Sequence, residues 1–193
     1  SIANHPSPEP VAIDFETTGL KAATGDRAFI LGFIWQGGKY SAWLGDRSPS
    51  PEVAASALKL LVSAPIHTYI ASNMKFEAAF LRFQFGCEIR GHWWDAEVFA
   101  RLENNSLKGY SLQARAERQG FTKHPPMLEW LKKYKKDDHA RGYVEAPSEI
   151  IIPYVEQDAW LSYMQWRHQQ KFFSQLDDSS PLPVKTLIKL EQD

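Results

Sequence analysis

Apolar positions fall into short runs with strand character in the first third of the chain and into helical spacing after it. Val11-Ala12-Ile13 runs into Asp14-Phe15-Glu16, which predicts a strand over about residues 10–16. Phe29 to Trp35 is a continuous apolar run, expected as a buried strand. Gln36-Gly37-Gly38-Lys39 has hairpin-turn chemistry and leads into the alternating stretch Tyr40 to Leu44. Three strands joined by short turns predict an antiparallel meander. A helix is expected over Glu52 to Ser63, opened by Ser50 or Pro51, with Val53, Ala57, Leu58, Leu60 and Leu61 apolar. It separates the meander from a fourth strand, Ile66 to Ala71, which can therefore lie parallel to the first through a crossover. Further helices are expected over Lys75 to Phe85, Asp95 to Leu102, Ser111 to Gln119 and Met127 to Lys136. A short strand is placed near Glu88 to Arg90, and residues 139–147 read as a loop. A long helix follows over Tyr154 to Leu176, with Pro153 suited to its start.

Size and composition add constraints. A chain of 193 residues with 44% hydrophobic and 13% aromatic content suits one domain with a sizeable core. A net charge of −1 gives no bulk attraction to nucleic acid, so any such contact must be local. The single cysteine, Cys87, excludes an internal disulfide and a cysteine-based zinc site, and it fits a reducing compartment. No apolar stretch reaches the length of a membrane span, so a cytoplasmic protein without membrane contact is expected. The six histidines are scattered without metal-ligand spacing, and no serine carries a Ser-His-Asp context. Residues 1–9 read as a flexible leader. Lys132, Lys133, Lys135 and Lys136 read as a solvated face, with a phosphate-contacting patch as the sharper alternative.

Three places carry candidate chemistry. In D-F-E-T-T-G, residues 14–19, Asp14 and Glu16 are two apart and project from one face of a strand. Adjacent carboxylates repel, and one stays protonated unless a cation lies between them. Hard divalent cations take such oxygen ligands. In N-M-K-F-E, residues 73–77, Asn73 stands at a helix cap position and Glu77 in the first turn, which by itself reads as capping. In Y-V-E-Q-D, residues 154–158, Tyr154 and Asp158 share a helix face. No basic residue near Asp158 in sequence balances it, and a metal would supply the missing charge.

Together and in this order, the three segments resemble the motifs of the DEDD 3′–5′ exonucleases, in the subclass marked by a tyrosine four residues before the last aspartate. W-W-D-A-E-V-F-A-R-L (93–102) and S-L-Q-A-R-A-E-R-Q-G (111–120) are similar to helices in the proofreading domain of family A DNA polymerases of phage type. P-L-P-V-K-T-L-I-K-L-E-Q (181–192) is similar to the linker helix that leads into their polymerase domain. The resemblance implies an α/β, ribonuclease H-like fold: a mixed five-stranded sheet, three antiparallel strands and then a parallel crossover, flanked by helices. It implies an exonuclease domain over 10–180 and the start of a linker helix over 181–193.

The resemblance further implies two divalent cations, Mg²⁺ or Mn²⁺. Asp14, Glu16 and Asp158 would hold one, and Asp14 would touch a second shared with the scissile phosphate. Glu77 completes the catalytic acids, and Tyr154 would orient the attacking water. Leu20 would pack on the terminal base, Asn73 would lie near the strand end, and Thr17 and Phe76 belong to the same nucleic-acid contact set. One departure stands out: the second motif normally ends in Asp, and here it ends in Glu77, one methylene longer. The implied activity is removal of nucleoside monophosphates from single-stranded or frayed DNA 3′ ends, as a monomeric unit beside a polymerase domain. Two other readings stand: a free-standing exonuclease on RNA, like ribonuclease D, and a catalytically weakened domain that only binds strands.

Overall fold

A computed structural model describes residues 10–63 and 68–175. The proposed leader 1–9, the linker segment 181–193 and the first two residues of the expected strand at 66–71 lie outside the described residues. Five strands form one sheet: β1 (Val11–Thr17), β2 (Ala28–Trp35), β3 (Gly38–Trp43), β4 (Thr68–Ala71) and β5 (His92–Asp95). Their spatial order is β3-β2-β1-β4-β5. The first three pair antiparallel, while β4 runs parallel to β1 and β5 parallel to β4. The expected meander and crossover are therefore present. Trp35 pairs with Gly38, which makes the hairpin tight.

Alternation along β1 sorts its side chains onto two layers. Val11, Ile13 and Phe15 enter a core with α1 (Pro51–Ser63) and α2 (Met74–Phe85), through Leu58, Val62, Phe80 and Leu81. Ala12 faces the other layer, with Ala159 and Tyr163 of the long helix α7 (Ser148–Ser174) and Phe99 of α3 (Ala96–Glu103). Asp14 and Glu16 have the parity of Ala12 and fall on the α7 side. Between α3 and α7 lie α4 (Leu112–Arg118), α5 (Pro125–Leu131) and α6 (His139–Glu145).

Four expectations change. The fifth strand is His92–Asp95, not 88–90; Trp94 supplies its inward side chain, stacked on Phe99 with ring centroids 3.5 Å apart, while Trp93 stays partly exposed. The α5 helix stops at Leu131, and the chain then turns into a short 3₁₀ segment at Lys136–Asp138. Its lysines are exposed, with Lys132 paired to Glu129. Residues 139–145 are helical rather than loop. Gly142 hides that pattern, because a side chain there would meet Leu131 and Tyr134 at 3.0 Å or less. Finally, α7 begins at Ser148, and Pro153 lies inside it. A proline at the sixth helical position removes one amide, whose partner would be the Glu149 carbonyl, so a helix otherwise held by Ile151 and Val155 in the core absorbs it.

Candidate active site

The β1–β4 ladder ends early. Its register pairs are Val11 with Tyr69 and Ala12 with Ile70, after which the two strands separate. The second half of β1 is therefore bonded on its β2 side only, and its other side opens a gap between β1 and β4, where the order of strands along the sheet reverses. Such a switch point at strand ends is where open α/β sheets receive ligands. Asp14 and Glu16 stand at this gap. Asp158 reaches it from α7, and one carboxylate oxygen from each of the three lies within 4.8 Å of the others. Asp14 and Asp158 are buried, while Glu16 keeps part of its surface in solvent.

Glu77 reaches the same gap from the first turn of α2. Its carboxylate accepts a hydrogen bond from the Phe15 amide at 3.2 Å, an amide on the stretch of β1 beyond its pairing with β4. It is buried and adds negative charge beside Asp14, but it stands outside the three-acid cluster. Asn73 sits at the α2 cap position without capping it. The Met74 amide instead donates to Asp95 at 2.9 Å, and the same Asp95 carboxylate caps α3 through the Glu97 and Val98 amides. Asn73 is exposed. One acid on β5 thereby fixes the starts of two helices.

The balancing charge that sequence proximity did not supply comes from Lys123, on the segment between α4 and α5. Its ammonium is 2.5 Å from Asp158 Oδ2 and 2.7 Å from the Tyr154 hydroxyl, to which it donates. No basic residue near Asp158 in sequence balances it, as expected, but one distant in sequence supplies part of the charge that a metal would bring. Lys123 lies 35 residues before Asp158, so spacing on one helix could not reveal it. Tyr154 is buried, and its hydroxyl also meets that of Tyr143 at 3.4 Å.

One lysine does not settle the charge. Two unit charges 4–5 Å apart repel by about 3–4 kcal/mol at an effective dielectric of ~20, and three acids make three such pairs. In the metal-free protein burial pushes Glu16 up to about 8, with the Asp158 charge adding to it. Burial, then the charges of Asp158, Glu77 and Glu16, hold Asp14 well above the usual carboxylate range. Burial also raises Glu77 and Asp158, Lys123 opposing it at Asp158. Burial disfavours charge on Lys123 itself, but Asp158 outweighs it and holds the ammonium above its ordinary value. The excess negative charge therefore falls on Asp14, Glu16 and Glu77, which must take up protons or a cation.

The donor set fits a hard divalent cation. Three carboxylates converge, and the buried Asp158 Oδ1 has no hydrogen-bond partner among the described residues. An acceptor left bare inside a protein is costly unless something fills it. The implied base-contact residues differ in availability. Leu20, just past the end of β1, is 82% exposed and free to meet a ligand. Thr17 is buried and donates its hydroxyl to the Gly19 carbonyl at 2.6 Å. Phe76 is half-buried against Phe80.

No family model matches the chain. The DNA polymerase of Escherichia phage T5 is 27% identical over 165 residues, which are 77% of this chain and 18% of that polymerase. The chain thus spans less than a fifth of the curated relative it matches. Among solved structures, Brucella melitensis NrnC superposes with a TM-score of 0.65 at 17% identity, covering 94% of this chain and 81% of that one. A nuclease in its apo form superposes with a TM-score of 0.61 at 15% identity, over 86% and 73% of the two chains. At such identities the structural likeness shows the fold. The chain thus shares the fold of these two structures, a mixed five-stranded sheet flanked by helices.

Proposed function

We propose that this chain is a metal-dependent 3′–5′ exonuclease domain that removes nucleoside monophosphates from single-stranded or frayed DNA 3′ ends, as the proofreading unit of a DNA polymerase. The convergence of Asp14, Glu16 and Asp158 at a sheet switch point carries this reading. The likeness to a phage DNA polymerase supports the polymerase context. Asp14, Glu16 and Asp158 would hold one divalent ion, Mg²⁺ or Mn²⁺; Asp14 would also face the second that the motif resemblance implies. Bound there, such ions supply Lewis acidity towards the phosphate and a water that ionises near neutral pH.

The remaining steps belong to the chain's own groups. Tyr154, anchored in the core with its hydroxyl at the edge of the acid cluster, orients the attacking water. Burial, and then the neighbouring Asp158 and Glu16 charges, keep that hydroxyl well above its ordinary pKa, so it acts as a neutral hydrogen-bonding group and not as a base. Lys123 adds positive charge where a phosphate oxygen would approach. Leu20 offers an apolar surface to the terminal base, which favours unpaired ends. Glu77 fixes α2 to β1 and contributes to the field around Asp14.

The test uses 5′-labelled single strands of matched DNA and RNA sequence with Mn²⁺, against Asp14→Asn. A ladder that shortens one nucleotide at a time on DNA, at least ~100-fold weaker in the variant, is expected. A stronger ladder on RNA would favour the ribonuclease D-like reading. Strand binding without any ladder would leave a domain that binds and does not cut.

A further inference from the structure

We infer that Gly32 is a positioning residue for the acid cluster: its missing side chain lets the α7 backbone settle onto the sheet at the depth that Asp158 needs. This deepens the metal-binding reading of the same site and rests on it. Gly32 lies in the middle of β2 and is the register partner of Asp14. A strand interior is a poor place for glycine, which forgoes packing and costs backbone entropy there. Its φ is not in the left-handed region, so no turn explains it.

The neighbour above it does. A Cβ built on Gly32 would fall 2.6 Å from the Val155 carbonyl oxygen, 2.9 Å from the Val155 carbonyl carbon and 3.2 Å from its Cγ2. Two of those atoms are helix backbone. No rotamer change relieves them, so α7 would have to lift by several tenths of an ångström or more. Val155 precedes Asp158 by three residues, less than one turn of the same helix. Lifting α7 at Val155 therefore draws Asp158 away from Asp14, across the strand pair whose register fixes Asp14 beside Gly32. Displacements near 1 Å in such constellations cost about 100-fold in rate. Three carboxylates make the cluster, yet its dimensions are set by a residue with no side chain.

The test is Gly32→Ala, with Mn²⁺ binding measured by calorimetry and the Mn²⁺ concentration for half-maximal nuclease activity measured alongside. Both should shift upward by at least ~10-fold, with helical circular dichroism retained and KM for the oligonucleotide little changed. A purely structural role would lower the folded fraction and leave the Mn²⁺ midpoint where it is. Val155→Ala removes only the side-chain part of the contact and should keep the wild-type midpoint. If Gly32→Ala does not fold, Val155→Ile thickens the same contact from the helix side and should raise the midpoint. An unchanged midpoint in whichever wedge variant folds overturns the inference. Absence of Mn²⁺ binding in the wild-type protein would instead overturn the metal reading on which it rests.

Discussion

At the scale of single residues, Glu77 and Lys123 change what the motifs alone suggest. Glu77 looked like a flaw, an acid one methylene too long for its motif. In the fold its length spans from α2 to the Phe15 amide. Glu77→Asp should lose that bond and leave a buried amide bare, costing about 1–3 kcal/mol in urea unfolding. Glu77→Gln keeps an acceptor at the same reach and should stay near wild type. Equal stability of the two would separate Glu77 from the strand. Lys123 and Asp158 form a buried pair, and deleting one partner of such a pair typically costs about 3–5 kcal/mol. Lys123→Met should therefore destabilise the metal-free protein, and millimolar Mn²⁺ should recover much of the loss by supplying the missing charge. Denaturant melts with and without Mn²⁺ check this; a loss untouched by the ion would mean that Lys123 packs and does not neutralise.

At the scale of elements, strands with an unbroken apolar run or a clean alternation were legible from the sequence: β1, β2, β3 and the end of β4 stand where the pattern put them. The misses have physical causes. For β5, one inward tryptophan supplies most of the packing, so four residues carry no period. Gly142 and its tight seat against Leu131 mask α6. In α7 a proline reads as a boundary although the helix is pinned on both sides of it. Strand parity, a local rule, put Asp14 and Glu16 on one face, but only the motif resemblance joined Asp158 to them. Lys123 was not legible, since nothing local ties residue 123 to residue 158. The double cap by Asp95 is of the same kind: an acid before a helix is visible, its bond to the Met74 amide is not. Asp95→Ala should loosen both α2 and α3, raising amide hydrogen exchange in their first turns while the β1–β2 ladder stays protected. Protection unchanged in α2 would show that its start is held by other contacts.

At the scale of the whole molecule, the acid cluster couples folding to pH. In the metal-free protein Asp14, Glu16 and Glu77 hold their protons to higher pH folded than unfolded. Above the ordinary carboxylate pKa the unfolded chain has already released those protons, and the folded chain has not. Stability is thus greatest below about pH 4–5 with respect to these groups and declines as pH rises, the Glu16 share of the loss being complete once it ionises near 8. A divalent ion that takes the deprotonated acids should reverse the trend. Melting temperatures from pH 5 to 9 should fall without metal and fall less, or rise, with Mn²⁺; parallel curves would contradict a metal at these acids. A net charge of −1 is compatible with the proposed scheme, in which bound cations would turn the acidic site towards phosphate. Among the described residues no helix is long and apolar enough to cross a membrane.

The central claim is that three acids from two distant segments hold an ion beside Tyr154 and Lys123. Crystals soaked in Mn²⁺ and measured at the manganese absorption edge test it most directly. The account predicts an anomalous peak at coordination distance from Asp14, Glu16 and Asp158, with the Lys123 ammonium moved off Asp158. Crystals that show no peak at the cluster, with Lys123 still bound to Asp158 in millimolar Mn²⁺, would contradict it.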